Sequence, residues 1–130
     1  MTMRYLLDTH VFLWMAAAPD KLSRNVRQIA IKKKNNLYLS AASGWEIALL
    51  RNLGRIELPD EPQRFIPEAM QKLSVTPVPI GFPTAIAAAS LPLIHRDPFD
   101  RIIIAEAERE GMVVMTKDKK FAEYGIQSVW

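Results

Sequence analysis

Residues 4–8 read Arg4-Tyr-Leu-Leu-Asp8 and residues 112–118 read Met112-Val-Val-Met-Thr-Lys-Asp118, so that two short apolar runs each end in an aspartate. Apolar runs of this kind are typical of buried strands in a parallel sheet. Parallel strands end at the same edge of a sheet, and open α/β sheets bind their ligands in the crevice at that edge. The two runs therefore predict a parallel sheet with both aspartates at its carboxyl edge.

The rest of the sequence alternates between strand-like and helix-like segments. Strands are predicted at residues 4–7, 37–40, 75–80, 112–116 and 126–130. Helices are predicted at residues 9–18, 22–34, 43–53, 62–73, 83–90, 98–110 and 119–124. This alternation predicts a three-layer α/β/α fold, in which helices cover both faces of a five-stranded, mainly parallel sheet. Two prolines within 75–80 place that strand at the edge, because proline cannot donate to a ladder.

The composition is that of one globular domain spanning residues 1–130, with 49% hydrophobic and 24% charged residues. The absence of cysteine excludes disulfides and a thiolate zinc site. No apolar run reaches the roughly 20 residues that span a bilayer. No signal peptide is visible, because charged and polar residues interrupt the N-terminal stretch, and a cytoplasmic protein without membrane contact is expected. The net charge of +3 is compatible with a nucleic-acid partner but does not require one.

Four acidic residues are predicted to gather at the carboxyl edge of the sheet: Asp8, Glu46, Asp100 and Asp118. Glu46 follows the second apolar run, and Asp100 opens the helix that precedes the fourth strand. Carboxylates held this close repel one another, and protonation or a bound cation is the usual remedy. Oxygen ligands suit Mg²⁺ or Mn²⁺, which points to phosphoryl-transfer chemistry.

We expect distinct roles within this set of four candidate catalytic residues. Asp8, Asp100 and Asp118 are expected to hold the metal, either directly or through water. Glu46 is expected to orient or deprotonate the attacking water, or to bind a second metal. Thr116, on the strand just before Asp118, could hydrogen-bond a carboxylate or that water.

Each of these acids except Asp8 also has a local explanation. Ser43-Gly-Trp-Glu46 has the pattern of a capping box, in which the glutamate bonds back to the start of its own helix. Asp97 is predicted to cap the helix at 98–110, with Asp100 in its first turn, and Asp118 could cap the helix that follows it. A cap and a ligand role are compatible, because a carboxylate has several lone pairs. Their convergence on one edge favours a shared metal site.

Four segments occur in the right order and spacing for a known family: Leu7-Asp-Thr-His-Val-Phe-Leu-Trp14, Ser40-Ala-Ala-Ser-Gly-Trp-Glu-Ile47, His95-Arg-Asp-Pro-Phe-Asp-Arg-Ile-Ile-Ile-Ala105 and Thr116-Lys-Asp118. With them the chain resembles PIN-domain proteins, and most closely the VapC-type toxins of bacterial toxin–antitoxin pairs. The resemblance implies a Rossmann-like fold and a metal-dependent endoribonuclease that cleaves RNA. It also implies a homodimer, and a cognate antitoxin whose tail sends a basic side chain towards the carboxylates.

The family's acidic quartet falls on Asp8, Glu46, Asp100 and Asp118. Asp97 and Asp100 lie three apart at one helix start, so that both could face the site. The ligand role is assigned to Asp100, which directly precedes the run Arg-Ile-Ile-Ile-Ala, and Asp97 is left as a cap or a neighbour of the site. The alternative function is a non-catalytic PIN-like binding subunit, whose acidic pocket would hold metal or a basic partner peptide.

The remaining histidines and tryptophans receive structural interpretations. His10 lies in an apolar helix and His95 in the turn before residue 97, and both are predicted to pack or bond locally. Trp14 and Trp45 are predicted to fill the core, or else to line the groove for the antitoxin.

Two arginines lie beside the predicted acids. Arg96 and Arg101 are expected either to hold substrate phosphate or to pair with Asp97 and its neighbours.

Overall fold

The computed structural model describes residues 2–130 and contains a parallel, five-stranded sheet. The strands are β1 (Arg4–Leu7), β2 (Asn36–Ser40), β3 (Val75–Val78), β4 (Val113–Met115) and β5 (Ser128–Val129). They lie in the order β3-β2-β1-β4-β5, and each neighbouring pair is parallel. All five strands therefore end at one edge of the sheet, as the sequence predicts.

Six α-helices connect the strands of the described chain. They are α1 (Thr9–Ala17), α2 (Arg24–Ile31), α3 (Ala41–Asn52), α4 (Pro62–Leu73), α5 (Phe82–Ser90) and α6 (Pro98–Glu110). Two short 3₁₀ helices lie at Pro19–Lys21 and Lys119–Tyr124. Within residues 2–130, no helix combines the length and the apolar character that a bilayer crossing requires.

Helices cover both faces of the sheet because successive side chains of a strand point to opposite faces. Leu7 of β1 lies in one apolar cluster, to which helices α1 to α4 contribute buried side chains. Leu6 lies in a second cluster with Ile103 and Ile104 of α6 and Phe121 of the second 3₁₀ helix. The predicted three-layer α/β/α arrangement is thus confirmed.

Two predicted helices begin two residues away from their predicted starts, and a polar side chain sets each start. The helix expected at 22–34 is α2, which begins after Ser23, whose side chain accepts a hydrogen bond from the backbone N–H of Val26 (3.0 Å). The helix expected at 43–53 is α3, which begins directly after Ser40, whose side chain accepts from the N–H of Ala42 (3.0 Å). Serine favours such N-cap positions because it satisfies an amide that has no partner inside the helix.

The predicted edge position of the proline-containing strand is confirmed. Within residues 2–130, β3 pairs only with β2, and Pro77 lies within it. At the other edge, β5 has two residues rather than the five expected, and the last helix, at 119–124, is a 3₁₀ helix.

Candidate active site

The four predicted acidic residues line one cavity at the carboxyl edge of the sheet. This cavity has a volume of about 340 Å³. Its lining consists of five acidic, one basic and two aromatic side chains: Asp8, Glu46, Asp97, Asp100, Asp118, Lys117, His10 and Trp14. We call it the acidic cavity.

Asp8 follows β1 and is held by the neighbouring strand. Its backbone N–H donates to the carbonyl of Met115 (3.0 Å), and its Oδ2 accepts a hydrogen bond from the Thr116 hydroxyl (2.8 Å). The same hydroxyl oxygen accepts from the backbone N–H of Asp118 (3.0 Å), so that Thr116 links two of the acids. Asp8 is 8% exposed, and burial raises the pKa of its carboxyl above the ordinary value.

Glu46 does not form the predicted capping box. Ser40 caps α3, so that Glu46 is the sixth residue of the helix rather than the third, and it faces inward at 8% exposure. Among residues 2–130, its Oε1 is buried and has no hydrogen-bond partner. Burial raises the pKa of Glu46, and the charges of Asp97 and Asp8 raise it further. A buried carboxylate oxygen left without a partner is costly, which favours a ligand or a water here.

The predicted cap of α6 is confirmed. Asp97 Oδ1 accepts hydrogen bonds from the backbone N–H groups of Phe99 (2.9 Å) and Asp100 (3.3 Å). The cap turns Asp100 into the acidic cavity, where its side chain is 15% exposed. Burial raises the pKa of Asp100 to about 8, and the charges of Asp8, Asp97, Glu46 and Asp118 add to the effect.

Asp118 both caps a helix and lines the cavity. Its Oδ1 accepts from the backbone N–H of Lys120 (2.9 Å), which starts the second 3₁₀ helix. Its Oδ2 lies 3.1 Å from Nε2 of His95, and the same nitrogen lies 2.9 Å from Asp100 Oδ2. The predicted bond within its turn is present, because His95 Nδ1 accepts from the backbone N–H of Asp97 (3.3 Å). His95 also reaches the acidic residues, which the sequence did not predict.

The residues of the acidic cavity fit a divalent cation. Asp100, Asp118 and His95 each offer one atom that could bind a metal, and these atoms all lie within 4.8 Å of one another. The donors are predominantly carboxylate oxygens, which suit hard divalent cations. The buried Oε1 of Glu46 supplies a further free acceptor. A cation would offset the like-charge repulsion that raises the pKa of Asp100.

The sequence profile of the PIN domain matches residues 5–127. This chain belongs to the PIN domain family. It is 33% identical over 122 residues to Ribonuclease VapC22 of Mycobacterium tuberculosis, a match that covers 92% of this chain and 90% of that protein.

Two solved structures confirm the PIN-domain fold. One is the crystal structure of VapBC2 from Rickettsia felis bound to a DNA fragment from their promoter, with a TM-score of 0.71, 16% identity and 98% of each chain covered. The other is DNA-bound VapBC from Salmonella typhimurium, with a TM-score of 0.68, 18% identity and again 98% of each chain covered.

The PIN domain buries one arginine that the sequence suggested for the site. Arg101 is 7% exposed and donates to the backbone carbonyls of Ala89, Leu91, Pro92 and His95 at 2.8 to 3.3 Å. It therefore ties down the segment between α5 and α6, and the expectation that it holds phosphate or pairs with Asp97 is wrong. Arg96 is exposed.

The aromatic residues also differ from expectation. Trp45 is 60% exposed and contacts Phe99 edge to face (4.8 Å between ring centroids), so that it does not fill the core. Trp14 is half-buried and packs against the first apolar cluster. His10 is exposed and lines the acidic cavity instead of packing inside.

The raised pKa of Asp100 predicts how the stability of the metal-free protein depends on pH. In the folded chain this carboxyl keeps its proton up to about pH 8, whereas its ordinary pKa is 3.8. The folded state then binds more protons than the unfolded state, so that stability is lost as pH rises through this window. Burial of Glu106, which raises its pKa to about 7, acts in the same direction.

In EDTA at pH 8, Asp100→Asn should therefore raise the free energy of unfolding by about 1 kcal/mol or more. The decline in stability between pH 5 and pH 8, measured by urea titration, should be shallower than in the wild type. Glu108→Gln, at an exposed position of the same helix, is the matched control and should change neither quantity. Equal stability of Asp100→Asn and wild type at pH 8 would contradict the view that burial and neighbouring negative charges make the ionised Asp100 unfavourable.

Proposed function

We propose that this PIN-domain protein is a metal-dependent endoribonuclease and the toxin of a VapC-type toxin–antitoxin pair. The observation that carries the proposal is the convergence of Asp8, Glu46, Asp100 and Asp118 on one cavity. The similarity to a relative named Ribonuclease VapC22 over 92% of the chain supports RNA as the substrate.

In this proposal Asp8, Asp100 and Asp118 hold Mg²⁺ or Mn²⁺ through carboxylate oxygens. When bound, the metal would lower the pKa of a water and offset charge that develops on the phosphate. The chain supplies the geometry: the Thr116 hydroxyl fixes Asp8, and the Asp97 cap fixes the start of α6 that carries Asp100.

Glu46 is the proposed general base. Its Oε1 is free to accept a hydrogen bond from the attacking water and then its proton, because none of the described residues occupies it. Burial raises its pKa, and a carboxylate with a raised pKa is a better base near neutral pH. Glu46 lies on α3 and Asp100 on α6, and both line the cavity, so that water and metal can be held by separate elements.

The cations around Asp118 are suited to an RNA backbone. Lys117 lines the acidic cavity, and Lys119 and Lys120 are exposed directly beyond Asp118. Lysines at the rim of an acidic site can hold phosphates that the carboxylates would otherwise repel.

A cognate antitoxin is the proposed protein partner. A basic side chain inserted among these carboxylates would compete with the metal and with the substrate for the same negative charge. Purified antitoxin should therefore abolish RNA cleavage in stoichiometric amount, and unchanged cleavage in its presence would contradict this partner.

The proposed nuclease activity is tested by measuring how fast the purified protein cleaves a cellular RNA pool in the presence of Mg²⁺ or Mn²⁺. Asp8→Asn should lower the cleavage rate by about 100-fold or more, since loss of a metal ligand or catalytic carboxylate costs at least this much. The variant should stay folded, because the asparagine oxygen can still accept from Thr116. Asp20→Asn, the same change at an exposed position, is the control and should cleave as the wild type does.

EDTA should stop cleavage by the wild type, and expression of the wild type but not of Asp8→Asn should arrest growth. Equal cleavage by Asp8→Asn and wild type would overturn the assignment of the site. Bound metal without cleavage of any RNA would favour the alternative, a binding subunit.

We further propose that the protein is a homodimer in solution. Three large apolar side chains of α5 and the segment after it are exposed: Phe82 (85%) and Ile86 (65%) of α5, and Leu93 (79%) of the segment that follows it. Phe82 and Ile86 lie four residues apart on α5 and so share one face of that helix. Large exposed apolar side chains on one face are typical of protein interfaces. A second copy of this chain would cover them and bring two acidic cavities into one assembly.

Light scattering should give the wild type about twice the 14.8 kDa mass of one chain. Ile86→Glu should yield monomers, because a buried unpaired charge destabilises an interface. Ile31→Glu is the matched control: Ile31 is 80% exposed but ends α2 in the helical layer on the other face of the sheet, and its variant should stay dimeric. A monomeric wild type, or dissociation by Ile31→Glu alone, would contradict this interface.

A further inference from the structure

One imidazole nitrogen joins two of the acids in the cavity. His95 lies in the segment before α6, and its Nε2 is 2.9 Å from Asp100 Oδ2 and 3.1 Å from Asp118 Oδ2. Asp100 belongs to α6, whereas Asp118 belongs to the connection after β4. The histidine therefore links carboxylates that two separate elements bring to the site.

The hydrogen bond at the other ring nitrogen, Nδ1, indicates which of the two nitrogens of His95 carries the proton. His95 Nδ1 faces the backbone N–H of Asp97 at 3.3 Å and must accept, because an amide N–H can only donate. A neutral imidazole with an acceptor at Nδ1 carries its proton on Nε2. That Nε2–H then donates to both carboxylates, and a protonated nitrogen has no lone pair to offer to a metal.

The ring is fixed in this position from several sides. The backbone N–H of His95 donates to the Tyr124 hydroxyl (2.7 Å), and its carbonyl accepts from the buried guanidinium of Arg101 (3.1 Å). The imidazole packs edge to face against Phe121, with 5.9 Å between ring centroids. Its side chain is only 12% exposed. A side chain held this tightly is preorganised to orient its hydrogen-bond partners.

We propose that His95 is a positioning residue that holds the Asp100 and Asp118 carboxylates together for a single cation, without itself binding the cation. The inference rests on the cation site of the proposed function. Asp118 is the more exposed of the two, with 38% of its side chain exposed. The Lys120 N–H holds its Oδ1, so that without the histidine its Oδ2 would lose the contact that keeps it beside Asp100. Bringing it back against the repulsion of Asp100 would then weaken cation binding.

Two amide variants at position 95 test the roles of Nδ1 and Nε2 separately. Asparagine at position 95 places its amide near the position of Nδ1 and keeps an acceptor for Asp97, but it does not reach the carboxylates. Glutamine places its amide NH₂ near the position of Nε2 and keeps a donor to them. Glu108→Gln, at an exposed position of α6 outside the acidic cavity, is the control.

Calorimetric titration with Mn²⁺ alone, without RNA, gives the decisive affinities. His95→Asn should bind Mn²⁺ about 10- to 100-fold more weakly than wild type, which is the usual effect of losing the partner of a ligand. His95→Gln should lie within about fivefold of wild type in Mn²⁺ affinity, as should Glu108→Gln. Thermal unfolding in EDTA checks that the variants are folded. Equal losses of Mn²⁺ affinity in His95→Asn and His95→Gln would indicate a structural role for His95 and would overturn the proposal.

Imidazole ¹⁵N spectra of the wild type give a readout that needs no variant at position 95. The chain has two histidines, so that His10→Gln assigns the His95 signals directly. Nε2 should stay protonated when Mg²⁺ is added, whereas loss of that proton would make His95 a ligand and contradict the proposal. Unchanged Mn²⁺ affinity in His95→Asn would also refute it while leaving the nuclease intact. Loss of binding and cleavage in Asp8→Asn, in contrast, tests the proposed function itself.

Discussion

Repulsion between carboxylates gathered at one edge of a parallel sheet is the constraint around which this PIN domain is built. Parallel strands end together, so that Asp8 and Asp118 meet wherever β1 and β4 pair. Helices α3 and α6 then bring Glu46 and Asp100 to the same cavity. Burial, and then the charges of the neighbouring acids, raise the pKa of Asp100 to about 8, because the ionised cluster is unfavourable without a counter-ion.

The surrounding structure holds these acids in place with hydroxyl, backbone amide and imidazole donors. The Thr116 hydroxyl bonds Asp8, and the amides at the start of α6 bond Asp97. The His95 ring lies within hydrogen-bond distance of Asp100 and Asp118. The buried Arg101 donates its hydrogen bonds to backbone carbonyls rather than to the carboxylates. The negative charge of the cavity is therefore preserved for a cation. Buried carboxylates of this kind lower the free energy of unfolding of the metal-free protein. This is expected at a functional site, where residues are not chosen for stability alone.

The sequence predicts the sheet, its order of elements and the acidic cavity well, because parallel geometry leaves little freedom for residues that directly follow a strand. Helix starts are harder to predict. Glu46 resembles the end of a capping box, but Ser40 starts α3 three residues earlier and turns Glu46 inward. Neighbours on a helix point about 100° apart, which is why Trp45 is exposed beside buried Glu46 and Arg101 turns away from Asp100. His95 could not be assigned from sequence, because its contact with Asp118 depends on the folded path of the segment between α5 and α6.

The measurement that tests this account most directly is the anomalous difference density of crystals grown with MnCl₂. The account predicts a manganese peak inside the acidic cavity, bound by carboxylate oxygens of Asp8, Asp100 and Asp118, with His95 Nε2 against the carboxylates rather than against the metal. An acidic cavity open to solvent but without a peak, or a peak bound elsewhere on the chain, would contradict the claim that these carboxylates are assembled to hold a cation.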